Sequence, residues 1–129
     1  MTPIRFDRFW VSLRHAGRGL RRALAAENNF RIHVAVALTV VVLLLVLRVP
    51  RVELAVLILV MASILILELV NTIVERFADL LEPRIHPYVG LLKDFMAAAV
   101  LIEALAAAGI GLLILWPHLV DWWQALKLA

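Results

Sequence analysis

Three apolar stretches dominate the chain: Val34 to Leu47, Leu54 to Val74 and Phe95 to Trp116. The first holds only fourteen uninterrupted apolar or near-apolar residues. A run of roughly 10–14 is more often a buried core helix than a membrane span. Carried outward to Phe30 and Val49, however, it places Arg31 and Arg48 near opposite ends, where long side chains can reach polar surroundings. At roughly 1.5 Å per residue that helix is about 30 Å long, enough to cross hydrocarbon. The pattern therefore predicts transmembrane helices over about 30–49, 54–74 and 95–116.

Ahead of the first span, Phe6, Phe9, Trp10, Leu13, Gly17, Leu20 and Leu24 recur at helical spacing, and Arg8, Arg14, Arg18, Arg21 and Arg22 fall mostly between them. This predicts an amphipathic surface helix over about 5–28, lying in the membrane interface. Between the second and third spans, Glu82-Pro83, His86-Pro87 and Gly90 interrupt helix and predict turns. No repeat or low-complexity linker divides the chain. The expectation is an all-α membrane protein, one membrane domain over residues 1–129.

Composition supports that class, since 64% hydrophobic residues and a mean hydropathy of +0.97 leave too little polar sequence to cover a soluble core. Cysteine is absent, which excludes disulfides and thiolate metal sites. A net charge of +3 raises the question of nucleic acid. Yet Arg5, Arg8, Arg14, Arg18, Arg21, Arg22 and Arg31 all precede the first long apolar run, a distribution that fits an anionic membrane surface instead. The second connection carries Arg76, Arg84 and Lys93, whereas Lys127 alone follows Trp116. The positive-inside rule then puts the N-terminus in the cytoplasm and the C-terminus outside, with Trp10 at the inner interface and Trp116, Trp122 and Trp123 at the outer one. The start lacks the pattern of a cleaved signal peptide, so no processing is expected.

Polar residues within the spans carry the candidate chemistry. Glu68, Asn71 and Glu75 stand at i, i+3 and i+7, one stripe of the second span near its cytoplasmic end. A charge central in a span costs roughly 2.5–3.5 kcal/mol on insertion scales, which makes function the default reading. Glu27 precedes the first span and Lys93-Asp94 the third, so the topology gathers these groups at one membrane surface. Such a cluster suits Mg²⁺ held by one or two carboxylates together with substrate phosphates, with Lys93 neutralising phosphate and a carboxylate acting as base. Taken singly, Asp94 equally suits a helix N-cap and Lys93 an interface anchor. Glu103, nearer mid-membrane, reads as an interhelical hydrogen-bonding group. The small residues from Ala97 to Gly111 favour close helix packing, and three helices hide so many polar groups poorly that oligomerisation is expected. The sequence contains no P-loop, protein-kinase glycine loop or His-Glu-x-x-His, and His15, His33, His86 and His118 lack metal-ligand spacing.

The stretch Glu68-Leu-Val-Asn-Thr-Ile-Val-Glu75, with Asp79, His86-Pro87, Gly90 and Lys93-Asp94 before the alanine run, resembles the small bacterial diacylglycerol kinase and undecaprenol kinase family. The likeness extends through His15-Ala-Gly-Arg-Gly-Leu20 and Glu27-Asn-Asn-Phe-Arg-Ile-His33 and takes in nearly the whole chain. It implies a bacterial inner-membrane homotrimer of three-span subunits, with sites between subunits, that uses MgATP to phosphorylate a lipid hydroxyl at the cytoplasmic face. Carried over, Glu68 is the general base, Glu27 and Glu75 bind Mg²⁺, and Asn71, Lys93 and Asp94 surround nucleotide phosphates and acceptor. Arg76 and Leu91-Leu92 depart from the family's usual small or polar residues. The arm and the Asn29-Phe-Arg-Ile-His33 stretch lean toward undecaprenol over diacylglycerol. The competing readings are a holin-like pore former and a cation-coupled carrier subunit in which Glu68 and Glu103 form a relay.

Overall fold

The computed structural model describes residues 6–81 and 87–128. They form four helices: α1 (Phe6–Ala26), α2 (Asn28–Leu47), α3 (Arg51–Leu81) and α4 (Pro87–Leu128). Three of them, α2, α3 and α4, are long and apolar enough to cross a membrane, so the expectation of a leading amphipathic helix and three candidate spans holds. Arg5, Arg84 and the predicted turn at Glu82-Pro83 and His86 lie outside the described residues.

The joints follow local chemistry. Glu27 alone separates α1 from α2, in extended conformation (φ −105°, ψ 116°), and its side chain does not cap α2. At the far end of α2, Arg48 adopts the left-handed region (φ 54°, ψ 43°), where its N–H and that of Val49 both reach the Leu44 carbonyl. Pro50, two residues on, has no N–H to extend the helix, so the chain reverses within residues 48–50 and α3 runs back beside α2.

The helix limits depart from the hydropathy runs where polar residues continue a helix. At about 1.5 Å per residue α3 is roughly 46 Å long, well beyond a hydrocarbon core of about 30 Å, and its surplus carries Glu75, Arg76 and Asp79. The third candidate span does not stop at Trp116. Instead α4 passes through Pro117 and continues to Leu128, 42 residues in all. Proline is tolerated inside such helices when neighbouring groups satisfy the freed carbonyl, and the residues beyond it are mostly good helix formers. At its start, Pro87 occupies the first helical position, which suits a residue with fixed φ and no N–H. Gly90, expected in a turn, therefore sits in the first turns of α4.

Packing is thin. Among the described residues Ala23, Phe30, Leu44, Leu57 and Ala78 are the buried apolar ones, near the two ends of α2, while long apolar stripes such as Leu45, Leu59, Leu101, Leu105 and Leu113 stay exposed on the isolated chain. Helices α3 and α4 share the longest contact. Three polar pairs fix their antiparallel register: Glu53 with His118 at 2.6 Å, Ser63 with Glu103 at 2.5 Å, and Asp79 with Lys93 at 3.0 Å.

Candidate active site

Glu68 is the one buried charged side chain among the described residues, 5% exposed. It has no hydrogen-bond partner there, yet neither carboxylate oxygen is sealed off. Its remaining access opens on a cavity of about 290 Å³ between α2, α3 and α4, walled chiefly by Ile32, Val36, Ile64, Leu67 and Val100. His33 and Glu103 are the other ionisable groups on its lining. An unpartnered carboxylate facing hydrocarbon walls is costly for folding alone, and its oxygens are open to a group that enters the cavity.

Toward the C-terminal end of α3 the stripe becomes wetter. Asn71 is half-buried and donates to the Glu75 carboxylate at 3.0 Å, while Glu75 is exposed two helical turns beyond Glu68. Glu27, at the α1–α2 joint, reaches the same region of α3 by pairing with Arg76 at 2.6 Å. Lys93 of α4 pairs with Asp79, one turn past Glu75. Asp94 is exposed, and since α4 begins at Pro87 it lies too far into the helix to be an N-cap. The structure thus gathers Glu27, Glu75, Arg76, Asp79 and Lys93 at one end of the bundle and keeps Glu68 apart, deeper in the apolar zone.

Glu103 makes the interhelical bond expected of it, to the Ser63 hydroxyl, which also lies 2.8 Å from the Val60 carbonyl. The remaining histidines sort by surroundings: His15 meets Arg18 on α1 at 3.0 Å, His118 ties α4 to Glu53, and His86 lies outside the described residues. Near the end of α4, Lys127 stands 5.4 Å over the Trp123 ring. Sequence reasoning missed the Arg76–Glu27 pair and the place of His33 on the cavity wall. Forty-nine residues separate Glu27 from Arg76, and opposite charge was the only available signal.

Among the described residues no three histidine, aspartate or glutamate side chains converge as a metal cluster. Mg²⁺ typically takes one or two carboxylates and completes its shell with phosphate and water, and the hard oxygen donors of Glu27 and Glu75 fit that chemistry.

Three apolar spans around a buried carboxylate, with charged side chains crowded at one end, define a multi-span helical membrane protein. The chain belongs to the prokaryotic diacylglycerol kinase family, whose model matches residues 14–115. It is 35% identical over 113 residues to an undecaprenol kinase of Bacillus subtilis, covering 88% of this chain and 92% of that protein. It is 37% identical over 112 residues to a diacylglycerol kinase of Synechocystis, covering 86% of this chain and 64% of the relative. A diacylglycerol kinase of Escherichia coli K12 is 30% identical over 113 residues, covering 88% of this chain and 93% of that protein. The protein is accordingly a membrane lipid kinase, and neither the pore-forming nor the carrier reading is favoured.

Proposed function

We propose that this protein transfers the γ-phosphoryl group of MgATP to the hydroxyl of a membrane lipid alcohol, undecaprenol in preference to diacylglycerol, with Glu68 as general base. The observation that carries the assignment is the Glu68 carboxylate, buried, unpartnered among the described residues and facing an apolar cavity. A lipid hydroxyl entering from the hydrocarbon side meets that carboxylate before any other acidic group outside the Ser63–Glu103 bond. Glu68 removes the hydroxyl proton as the lipid oxygen bonds to the γ-phosphorus. The bond from that phosphorus to the β–γ bridging oxygen breaks, and ADP departs with the electron pair.

Nearer the bundle end, Glu27 and Glu75 would hold Mg²⁺, which when bound offsets the charge of the nucleotide phosphates. Asn71 steadies Glu75 through its hydrogen bond. Lys93 and Asp94 flank the same region and orient phosphate and acceptor. The preference for undecaprenol rests on the likeness in the α1 and α2 stretches and on cavity walls that offer few donors for ester carbonyls.

The functional unit in this reading is a homotrimer in the bacterial inner membrane, with a cytoplasmic N-terminus. Supporting it are the exposed apolar stripes of α2, α3 and α4, the exposed Glu75 and Asp94, which a neighbouring subunit would enclose, and the basic face of α1. Purified protein incubated with γ-labelled ATP, Mg²⁺ and a panel of lipid alcohols should yield labelled lipid, most with undecaprenol. Ion flux without labelled lipid would overturn the reading.

A further inference from the structure

The Arg76–Glu27 pair is not a convincing structural tie. Its guanidinium side chain is 64% exposed and its carboxylate side chain 25% exposed, and ion pairs this open contribute little to folding. Its position is more telling. Glu27 is the single extended residue at the α1–α2 joint, where its side chain leaves the helix start uncapped and extends to α3 instead. Arg76 follows Glu75 directly, about 100° further round α3. One turn of helix therefore presents a carboxylate suited to a metal and a guanidinium suited to phosphate. Both members of the pair, together with Arg22, line an open groove of about 840 Å³ between α1 and α3, with Thr72 and the side-chain-free Gly17 and Gly19 along it.

We propose that Arg76 is a phosphate-binding residue of the nucleotide site, held on Glu27 until a metal-bound nucleotide takes the carboxylate and frees the guanidinium for the phosphates. This rests on the kinase reading above. When Glu27 turns to the metal, its ion pair with Arg76 is exchanged for a guanidinium–phosphate contact, so no charge is left uncompensated. Planar donors aimed at a transferring phosphoryl group are also the means by which arginine stabilises charge in that reaction. Arg76 thus competes with metal in the empty protein and cooperates with it in the loaded one.

That dual role predicts effects of opposite sign, which a plain salt bridge would not give. In detergent-solubilised full-length protein without nucleotide, Mn²⁺ binding followed by the EPR signal of free Mn²⁺ should be about 1.5- to fivefold tighter in Arg76→Ala, the range an exposed ion pair allows. Affinity for a non-hydrolysable ATP analogue in the presence of Mn²⁺ should fall about tenfold in the same variant, as expected for loss of a charged hydrogen bond, and Arg76→Lys should restore part of it. In a Glu27→Gln background the gain in Mn²⁺ affinity should vanish. Unchanged analogue binding in Arg76→Ala, or Mn²⁺ binding that weakens, would overturn the proposal. A wild-type protein that binds the analogue but labels no lipid alcohol overturns the kinase reading, and the Mn²⁺ and analogue measurements still decide the role of Arg76.

Discussion

Replacing Glu68 by glutamine separates chemistry from folding more cleanly than any other single change in this chain. The side chain is 5% exposed and has no hydrogen-bond partner among the described residues, so the substitution strands no neighbouring donor. Glutamine matches glutamate in size and leaves the cavity of about 290 Å³ unaltered in shape. Two small effects oppose each other in the folded state: relief from burying a carboxylate, and the cost of placing an amide N–H group against apolar walls. Their sum should leave stability within about 1 kcal/mol of wild type. Catalysis should respond very differently, because removing a general base lowers rate by a factor of about 10²–10⁴. At 1.36 kcal/mol per decade this is a barrier increase of about 2.7–5.4 kcal/mol, several times the stability change. The assay is steady-state lipid phosphorylation at saturating MgATP and acceptor, paired with nucleotide binding and thermal unfolding in the same detergent. A kcat within threefold of wild type, or a change confined to KM, would refute the base assignment. Loss of both folding and turnover would instead make Glu68 a structural residue.

Glu75→Gln should retain most of its turnover at high Mg²⁺ while requiring about tenfold more metal, since glutamine still accepts the Asn71 bond but loses the charge; metal titration of activity checks this. Ser63→Ala removes the α3–α4 bond to Glu103 and should destabilise the protein by about 0.6 kcal/mol and by no more than about 1.7 kcal/mol, the average and the maximum for hydrogen bonds between membrane helices. Unfolding in mixed detergent and denaturing surfactant gives that number. Excess chelator should abolish lipid labelling and dilution into Mg²⁺ should restore it; labelling that persists in chelator counts against the roles of Glu27 and Glu75. Reporter fusions at the two termini should give opposite signals, cytoplasmic at the N-terminus and external at the C-terminus.

Helix existence was legible in the sequence because hydropathy and the amphipathic period act locally. Its limits were less so: Glu75, Arg76 and Asp79 end the apolar run near Val74 but are good or tolerable helix residues, so α3 runs on to Leu81. Pro117 similarly marks the end of an apolar run without ending α4. The stripe Glu68, Asn71 and Glu75 could be read directly, since its spacing is a property of one helix. The partners of Glu27, Glu53 and Glu103 could not, because each lies on another helix and depends on how far α3 slides against its neighbours. Glu103 showed only that an acid in a span needs a partner, and Ser63, forty residues away, carries no sign of being that partner.

That sliding is what gives the site its depth. Along α3, Ser63 lies about 15 Å from Glu53 and Asp79 about 24 Å further on; along α4 the steps are about 22 Å from His118 to Glu103 and about 15 Å to Lys93, so the long Glu103 side chain reaches along the helices to Ser63. The totals agree to within a turn, so the polar pairs at the two ends hold the helices in register. Moving α4 by one turn would displace the partners of the two end pairs by about 5.4 Å and break both. In the register observed, Glu68 falls between the Ser63 and Asp79 levels, about 10.5 Å from Glu75 along the helix. A hydroxyl on a lipid cannot leave the bilayer, and a triphosphate cannot enter it. With Glu68 as the proposed base and Glu75 as a proposed metal ligand, the two roles stand at different depths on α3, and the pairs that fasten α3 to α4 hold that offset without a hinge.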